Sequence, residues 1–525
     1  MFDTQGVLKM KNNYQAISSV GEKKLPVLLW SIVIGLLAGL VVVAYRIVLN
    51  YAEKLSFTIY GFLQESPGWI PVWMLVLVIL GILVGKMVKK NDMISGSGIP
   101  QVKGIMMGYI KDTWFGTLCL KFIGGAAAIL GGLSLGREGP SVQLGACVAE
   151  GVAKKGKITR MEKKVLIASG ASAGLSAAFN APLAGVVFAL EEIFKYFSPL
   201  ILLSTMAAAV AADFVAKNVF GMAHVFQFPE VGVIPLSSYW ILLLLGAVLG
   251  AAGAFYNQVL LAAQRFYQKL PRDKRPLIPF VLAGILGLVF PSVLCGGHEI
   301  VSQLNLSTGL LMLFALLVMK FLFSMISFGS GSPGGIFFPL LIIGGTIGAI
   351  FGTISVHWLG FSSDLFFNFV ILAMAGYFTA IVRAPITGII LITEMTGSLH
   401  HLLSLTVVAI TAYIVADLLK SAPVYESLLE NLLKTKNILP KEEEANQKIL
   451  IDTIVQHGSK IAGKQVKEIR WPRRTLLLSI KRMENEIIPK GDTVLQEEDY
   501  LILITDLNSE WKTRERIHAL TCAPE

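Results

Sequence analysis

The sequence predicts an all-α polytopic membrane protein carrying a small C-terminal α/β domain. Three observations lead there. Of 525 residues, 54% are apolar and 15% charged, against about 25% charged in soluble domains. Apolar runs long enough to cross a bilayer recur from residue 26 to 419, and the composition turns polar after Lys434. A mean hydropathy of +0.67 agrees. An ordinary globular domain, a disordered chain and a nucleic-acid module are excluded. The formal charge of +10 does not restore a nucleic-acid polymer as partner, because the basic residues sit in short clusters between apolar runs, the pattern that orients membrane proteins. Cys119, Cys147, Cys295 and Cys522 show no CxxC or CxxH spacing, so neither a disulfide framework nor a zinc site is indicated.

Residues 1–25 form a polar segment with Lys9, Lys11, Lys23 and Lys24. The run 26–50 exceeds a signal-peptide core and lacks a cleavage site, which makes it a retained helix. Further spans are expected at 71–88, 115–132, 200–220, 236–263, 277–292, 310–328, 336–355, 364–382 and 401–419. The segments 97–109, 139–153, 164–178, 182–194, 384–396 and 424–434 are too short or too glycine-broken to span alone, since about 20 residues are needed. Half-length apolar helices at membrane depth require a lining of protein or an aqueous cavity.

Basic residues set the orientation. Lys86, Lys89 and Lys90 follow the second span, six basic residues lie in 154–164 and five in 265–275, while 218–264, 291–310 and 356–364 have none. The positive-inside rule therefore predicts a multi-pass protein of the cell membrane with both termini cytoplasmic. The expected organisation is a cytoplasmic segment 1–25, a transmembrane domain 26–434 in two halves (26–220 and 236–434), a charged linker 435–447, and a soluble domain 448–525. In that last part, strands are expected at Thr475–Ile480 and Tyr500–Thr505, a turn at Pro489–Asp492 and a short helix near Ser509–Ala519. About 80 residues suffice for a small α/β domain, whose marginal core favours pairing with a second copy.

The two halves repeat one another. Ala181, Pro182, Gly185 and Glu191 align with Ala384, Pro385, Gly388 and Glu394 at an offset of 203. Upstream, Gly136-Arg-Glu-Gly-Pro140 falls on Gly335-Ile-Phe-Phe-Pro339 at an offset of 199, with Gly145 on Gly344. Short Gly/Pro-interrupted segments at matching positions of two halves point to a transporter's binding site. Half-helix N-termini at the midplane carry unpaired N–H groups and partial positive charge, which suits an anion.

Three motifs converge with the repeat: Gly96-Ser-Gly-Ile-Pro100, Gly136-Arg-Glu-Gly-Pro140 and Gly334-Gly-Ile-Phe-Phe-Pro339, with Tyr425 near the end of the apolar region. In this order and spacing, over residues 25–434, the chain resembles the CLC family of chloride channels and chloride/proton antiporters. Each motif places Gly and Pro where an irregular segment enters a helix, so that backbone N–H groups point forward unobstructed. The resemblance implies a CLC-type inverted repeat of broken half-helices and an anion site made by the Ser97 hydroxyl, the Ile336 and Phe337 backbone N–H groups and the Tyr425 phenol. It makes Glu138 the gate and external proton acceptor, an intramembrane carboxylate being a functional hypothesis by default. Glu192, aligned with Met395 and so breaking the internal symmetry, matches the family's internal proton-transfer glutamate. Arg137 and Lys121 are candidates for electrostatic support of the anion, with structural roles equally open. Ser at position 97 resembles chloride-selective members; nitrate-selective relatives carry Pro there.

The function so implied is a homodimeric chloride/proton antiporter, with chloride as the transported ion and no cofactor. The alternative is a passive chloride channel of the same fold, the two differing in whether Glu192 conducts protons. A regulator built around the soluble tail is a third reading. No nucleophile–base arrangement suggests an enzyme, and His400-His401, adjacent on a helix, do not share a face to hold a metal. The tail, with Arg482, Ile487–Asp492 and Glu498–Ile504, resembles the TrkA C-terminal domain of potassium-uptake regulators. Such domains pair, and some bind cyclic dinucleotides or other small ligands. A ligand-free dimer-stabilising cap is the equal alternative. Neither a CBS pattern nor a nucleotide-binding GxGxxG motif occurs.

Overall fold

The computed structural model describes residues 24–436, 438 and 448–521, apart from 111, 156–157, 196, 227, 230–231, 483–484 and 507–509. Residues 1–23 of the polar segment expected at 1–25 and most of the linker expected at 435–447 lie outside the described residues. Contacts divide the chain into two units, with the division after Thr435.

The first half runs through α1 (Lys24–Glu65), α2 (Ile70–Lys90), α3 (Ile99–Met107), α4 (Trp114–Leu130), α5 (Glu138–Lys155), α6 (Arg160–Phe179), α7 (Pro182–Phe188, continued by a π-helical turn Ala189–Phe194) and α8 (Pro199–Phe220). The second half repeats the order in α9 (Trp240–Gln268), α10 (Leu277–Val289), α11 (His298–Gln303), α12 (Leu310–Gly329), α13 (Phe337–Leu359), α14 (Phe366–Val382), α15 (Pro385–Thr396) and α16 (Leu402–Leu418). A short helix, α17 (Val424–Thr435), follows. Among the described residues, seven helices are long and apolar enough to cross a membrane.

Two expectations change in length. Helix α1 does not stop at residue 50: it is 42 residues long, about 63 Å at 1.5 Å per residue, which exceeds the hydrocarbon thickness and carries Glu53 and Lys54 beyond it. The segments expected at 139–153 and 164–178 are helices of 18 and 20 residues. Polar residues extend them past their apolar cores. Glu138 opens α5, and a capping box opens α6, in which Thr159 Oγ1 accepts the Glu162 N–H at 3.3 Å while Glu162 accepts the Thr159 N–H at 2.7 Å.

The inverted repeat is visible in paired hydrogen bonds. Gly136 and Gly335 exchange N–H···O bonds of 2.7 Å in both directions, a self-complementary pair that lies on the pseudo-two-fold axis. A Cβ on Gly335 would stand 3.1 Å from the Gly139 nitrogen, so the strands touch backbone to backbone. Farther out, α7 and α15 cap one another. The Glu394 carboxylate accepts the N–H groups of Leu183 (3.1 Å) and Ala184 (2.7 Å). Glu191 accepts those of Ile386 (3.2 Å) and Thr387 (2.8 Å). Each carboxylate thus satisfies the orphan donors opening the other half-helix and complements its dipole.

The second unit is a four-stranded antiparallel sheet in the order β1 (Lys448–Ile454), β4 (Tyr500–Asp506), β2 (Leu476–Arg482), β3 (Asn485–Ile487), with α18 (Glu510–Thr521) after it. Ile451, Leu477, Ile480, Leu501, Leu503 and Ile517 bury a common core. Strands β2 and β4 and the helix match the expected positions; β1 and β3 were not anticipated. Arg482 joins the buried Asp499 by two 2.8 Å bonds.

The reciprocal caps give a test. Glu394→Ala leaves two backbone donors without an acceptor, at about 1–3 kcal/mol for each buried group. The expected outcome is a thermal midpoint lowered by several degrees, followed by size-exclusion of heated detergent-solubilised protein. Glu394→Gln, which keeps an acceptor oxygen, is expected to recover part of the loss. An alanine variant as stable as the parent contradicts the capping account.

Candidate functional site

The three motifs, far apart in sequence, meet around the Gly136–Gly335 pair. Gly96 donates its N–H to the Gly331 carbonyl at 3.3 Å, and Gly334 donates to Gly96 at 3.1 Å. A Cβ on Gly139 would lie 2.8 Å from the Ser97 Cβ, so the first motif rests directly on the second. Gly98 takes φ +91° as it leads into α3, and a side chain there would collide with Gln143; only glycine accepts both conditions.

Ser97, Ile336, Phe337 and Tyr425 are all buried. The Ser97 hydroxyl accepts the Ile99 N–H at 3.3 Å, an arrangement that leaves its own proton to donate. Ile336 and Phe337 stand at the start of α13, where the first N–H groups have no intrahelical acceptor. The Phe337 ring is fixed by Phe378, Phe179 and Phe188, with centroids 4.6, 5.3 and 6.0 Å away. The Tyr425 hydroxyl is wholly buried with no hydrogen-bond partner among the described residues. On α9, which packs against α17, Tyr256 carries another buried hydroxyl without a hydrogen-bond partner among the described residues. Tyr256 escaped sequence analysis because nothing separates it from the packing aromatics of a long apolar helix. A cavity of about 130 Å³ reaches Ser97, with Ser95, Gln101, Arg272, Arg275 and Asn431 also on its wall.

Glu138, the first residue of α5, is 1% exposed, and its Oε2 has no hydrogen-bond partner. A Cβ built on Gly136 would meet Glu138 Oε2 and stand 3.1 Å from the Phe338 nitrogen, so the carboxylate lies beside the start of α13. Arg137 Nε stands 3.9 Å from Oε1, while its Nη1 is turned to Asn50 at 2.8 Å. A small cavity on this side, with room for about one water molecule, is lined by Glu53, Arg137, Glu138, Gly296, His298 and Phe338.

Lys121 is fully buried and donates to the carbonyls of Ile94 (2.9 Å) and Gly96 (2.5 Å), fixing the loop that presents Ser97. The polar neighbours its position demanded are therefore backbone oxygens. Lys320, not singled out from sequence, repeats this arrangement on Val293 (2.9 Å) and Cys295 (2.8 Å). Every member of the second set lies 199 residues after its counterpart, so the repeat held the signal.

Glu192 sits in the π-helical turn after α7 and is 2% exposed. A solvated acid at a helix end is thereby excluded. Its Oε1 pairs with the Lys103 ammonium at 2.6 Å, and Lys103 is itself fully buried. Lys103 was also missed; a lysine one turn into an otherwise apolar short helix is the trace it left. Lys195, closing the same turn, pairs with Glu426 beside Tyr425.

An inverted pair of helical repeats, with half-helices meeting at a buried polar centre, defines a class of membrane transport proteins. A family model described as voltage gated chloride channel matches residues 80–417, and a TrkA-C domain model matches 451–517. The chain belongs to this voltage gated chloride channel family and is a multi-pass membrane protein with a TrkA-C domain. It is 34% identical over 428 residues to the H(+)/Cl(-) exchange transporter ClcA of Vibrio cholerae serotype O1 (strain M66-2), covering 78% of this chain and 91% of that protein. The transporter of the same name from Klebsiella pneumoniae is 33% identical, with 78% and 89% covered. Among solved structures, a slow cyanobacterial Cl-/H+ antiporter superposes with a TM-score of 0.74 at 29% identity, covering 78% of this chain and 99% of that one. A eukaryotic CLC transporter, at 19% identity and a TM-score of 0.66 over 95% of this chain and 90% of that one, shares the fold.

The buried pair gives the second test. Lys103→Met strands a buried carboxylate, and breaking such a pair costs about 3–5 kcal/mol. The expected outcome is a strongly lowered yield of monodisperse protein, restored in large part by Lys103→Met/Glu192→Gln. A single variant as stable as the double would show that the two charges do not depend on one another.

Proposed function

We propose that this protein is a secondary transporter, not an enzyme, exchanging chloride for protons across the cell membrane, with both termini in the cytoplasm. The single observation that carries the reading is Glu138: a buried carboxylate with an unpaired oxygen, set at the junction where the three motifs meet. The names of the curated relatives and the 29%-identical antiporter structure support it.

In this reading the Ser97 and Tyr425 hydroxyls and the Ile336 and Phe337 N–H groups hold a partly dehydrated chloride. Ionised, Glu138 occupies the outer anion position and receives the same kind of N–H donation. Protonated, it loses that attraction and swings aside, so one residue is both gate and external proton acceptor. Glu192 takes the proton on the inner side, and the anion leaves past Ser97 into the polar cavity beyond. Lys121 supports the site by fixing the Ser97 loop and by its charge; Arg137 acts on the outer carboxylate. No cofactor enters the cycle. Residues 26–434 form the transport unit and pair as a homodimer, and 448–525 form a cytoplasmic module that takes a small ligand such as a cyclic dinucleotide.

Reconstituted vesicles test the exchange. A chloride gradient is expected to drive protons uphill in the parent, with a reversal potential between the chloride and proton equilibrium values. Glu138→Gln and Glu192→Gln are each expected to keep anion flux and lose proton movement. A reversal potential at the chloride equilibrium value in the unmodified protein would mark a passive channel.

Selectivity provides a separate check. Ser97→Pro removes one buried donor to the anion, worth on the order of 1–3 kcal/mol, and is expected to raise nitrate over chloride transport by about tenfold. An unchanged ratio places Ser97 outside the site.

A further inference from the structure

Lys103 ties the helix that begins just after Ser97 and Gly98 to Glu192. It lies in α3, whose first residue follows Ser97 and Gly98, and four residues along that helix its ammonium meets Glu192. Its depth in α3 is about 6 Å along the axis. Glu192 is the one carboxylate among the described residues within ion-pair distance of Lys103. The other charged groups around the turn are committed elsewhere. Lys195 pairs with Glu426 on α17, and the Glu191 carboxylate receives the N–H groups opening α15. Tyr425 is also on α17, which packs against α3. Proton site, cation and anion-facing hydroxyls therefore share one low-dielectric region.

We propose that Lys103 is a shared countercharge, neutralised by Glu192 while that carboxylate is ionised and made available to an anion beside Ser97 when Glu192 takes up a proton. The inference rests on the reading that Glu192 titrates and Ser97 binds the anion. Its chemistry is minimal: a proton joins the Glu192 carboxylate, no other bond changes, and the freed positive charge of Lys103 attracts chloride through the short helix. A separation of about 12 Å at an effective dielectric near 20 corresponds to about tenfold in affinity. By linkage, chloride at the inner site must favour protonation of Glu192 by the same factor. Proton uptake and anion occupancy on the inner side thus become cooperative without any large movement.

The test is chloride binding by isothermal titration calorimetry on full-length protein, in a Glu138→Gln background so that the gate carboxylate does not compete. Binding is expected to tighten about tenfold on going from alkaline to acid pH. Adding Lys103→Arg keeps that dependence, whereas adding Lys103→Met abolishes it. Because the methionine variant is at risk of misfolding, Lys103→Met/Glu192→Gln is compared with Glu192→Gln alone, and about tenfold weaker chloride binding is expected when the lysine is missing. Equal affinities in those two overturn the proposal, as does a pH dependence that survives Lys103→Met. If Glu192→Gln alone retains full proton coupling in vesicles, the underlying reading of Glu192 fails instead, and that outcome is separate from the binding result.

Discussion

Two glycines that exchange backbone hydrogen bonds across a pseudo-two-fold axis hold the centre of this molecule together. Gly136 and Gly335 pair at 2.7 Å in both directions, and both positions are crowded, since a Cβ on Gly136 would meet the Glu138 carboxylate and the Phe338 nitrogen and one on Gly335 would press on Gly139. Everything proposed for transport hangs from this pair. It sets the start of α5 against the start of α13, and so places Glu138 next to the Phe338 N–H. The first motif is tied in by the bonds between Gly96 and the 331–334 turn. Irregular backbone at this depth survives because its polar groups find one another instead of lipid.

The rest of the membrane unit solves a related problem, that of burying charge. Lys121 and Lys320 surround their ammonium groups with carbonyls of the loops before α3 and α11. Glu191 and Glu394 place their carboxylates on the N–H groups of the opposite half-helix. Each solution uses the unpaired polar groups that broken helices leave behind, so the breaks at the proposed anion site also supply the partners for these charges. The scheme is duplicated by the repeat, which gives the two faces related electrostatics.

Function enters where the duplication fails. Glu192 has Met395 as its counterpart, and its partner Lys103 corresponds to Ser302 at the 199-residue offset. The Lys103–Glu192 pair therefore belongs to one half only. Glu138 likewise aligns with Phe337, so a carboxylate faces backbone donors across the axis. Symmetric backbone with asymmetric titratable groups lets a two-fold scaffold treat its two sides differently.

Sequence alone determined the class of fold, the order of the long apolar segments, the internal repeat and the three glycine-rich motifs, whereas the spans expected at 115–132, 277–292 and 401–419 are helices of 17, 13 and 17 residues. These are local or periodic properties: apolar run length reports membrane crossing, and Gly/Pro placement reports where helices begin. The repeat also assigned Glu191 to symmetry and singled out Glu192. Only the tertiary structure could decide which residues meet. Lys103 and Glu192 are 89 positions apart, and nothing in the spacing of the lysine marks its partner. Tyr256 became distinct from other aromatics only through its buried, unpartnered hydroxyl, and Lys320 through the carbonyls it caps. Strands β1 and β3 of the tail gained their identity from partners in β4 and β2, because a strand is completed by hydrogen bonds to residues distant in the chain. Burial and pairing of charge depend on what other segments bring to a point, and one-dimensional spacing does not contain that information.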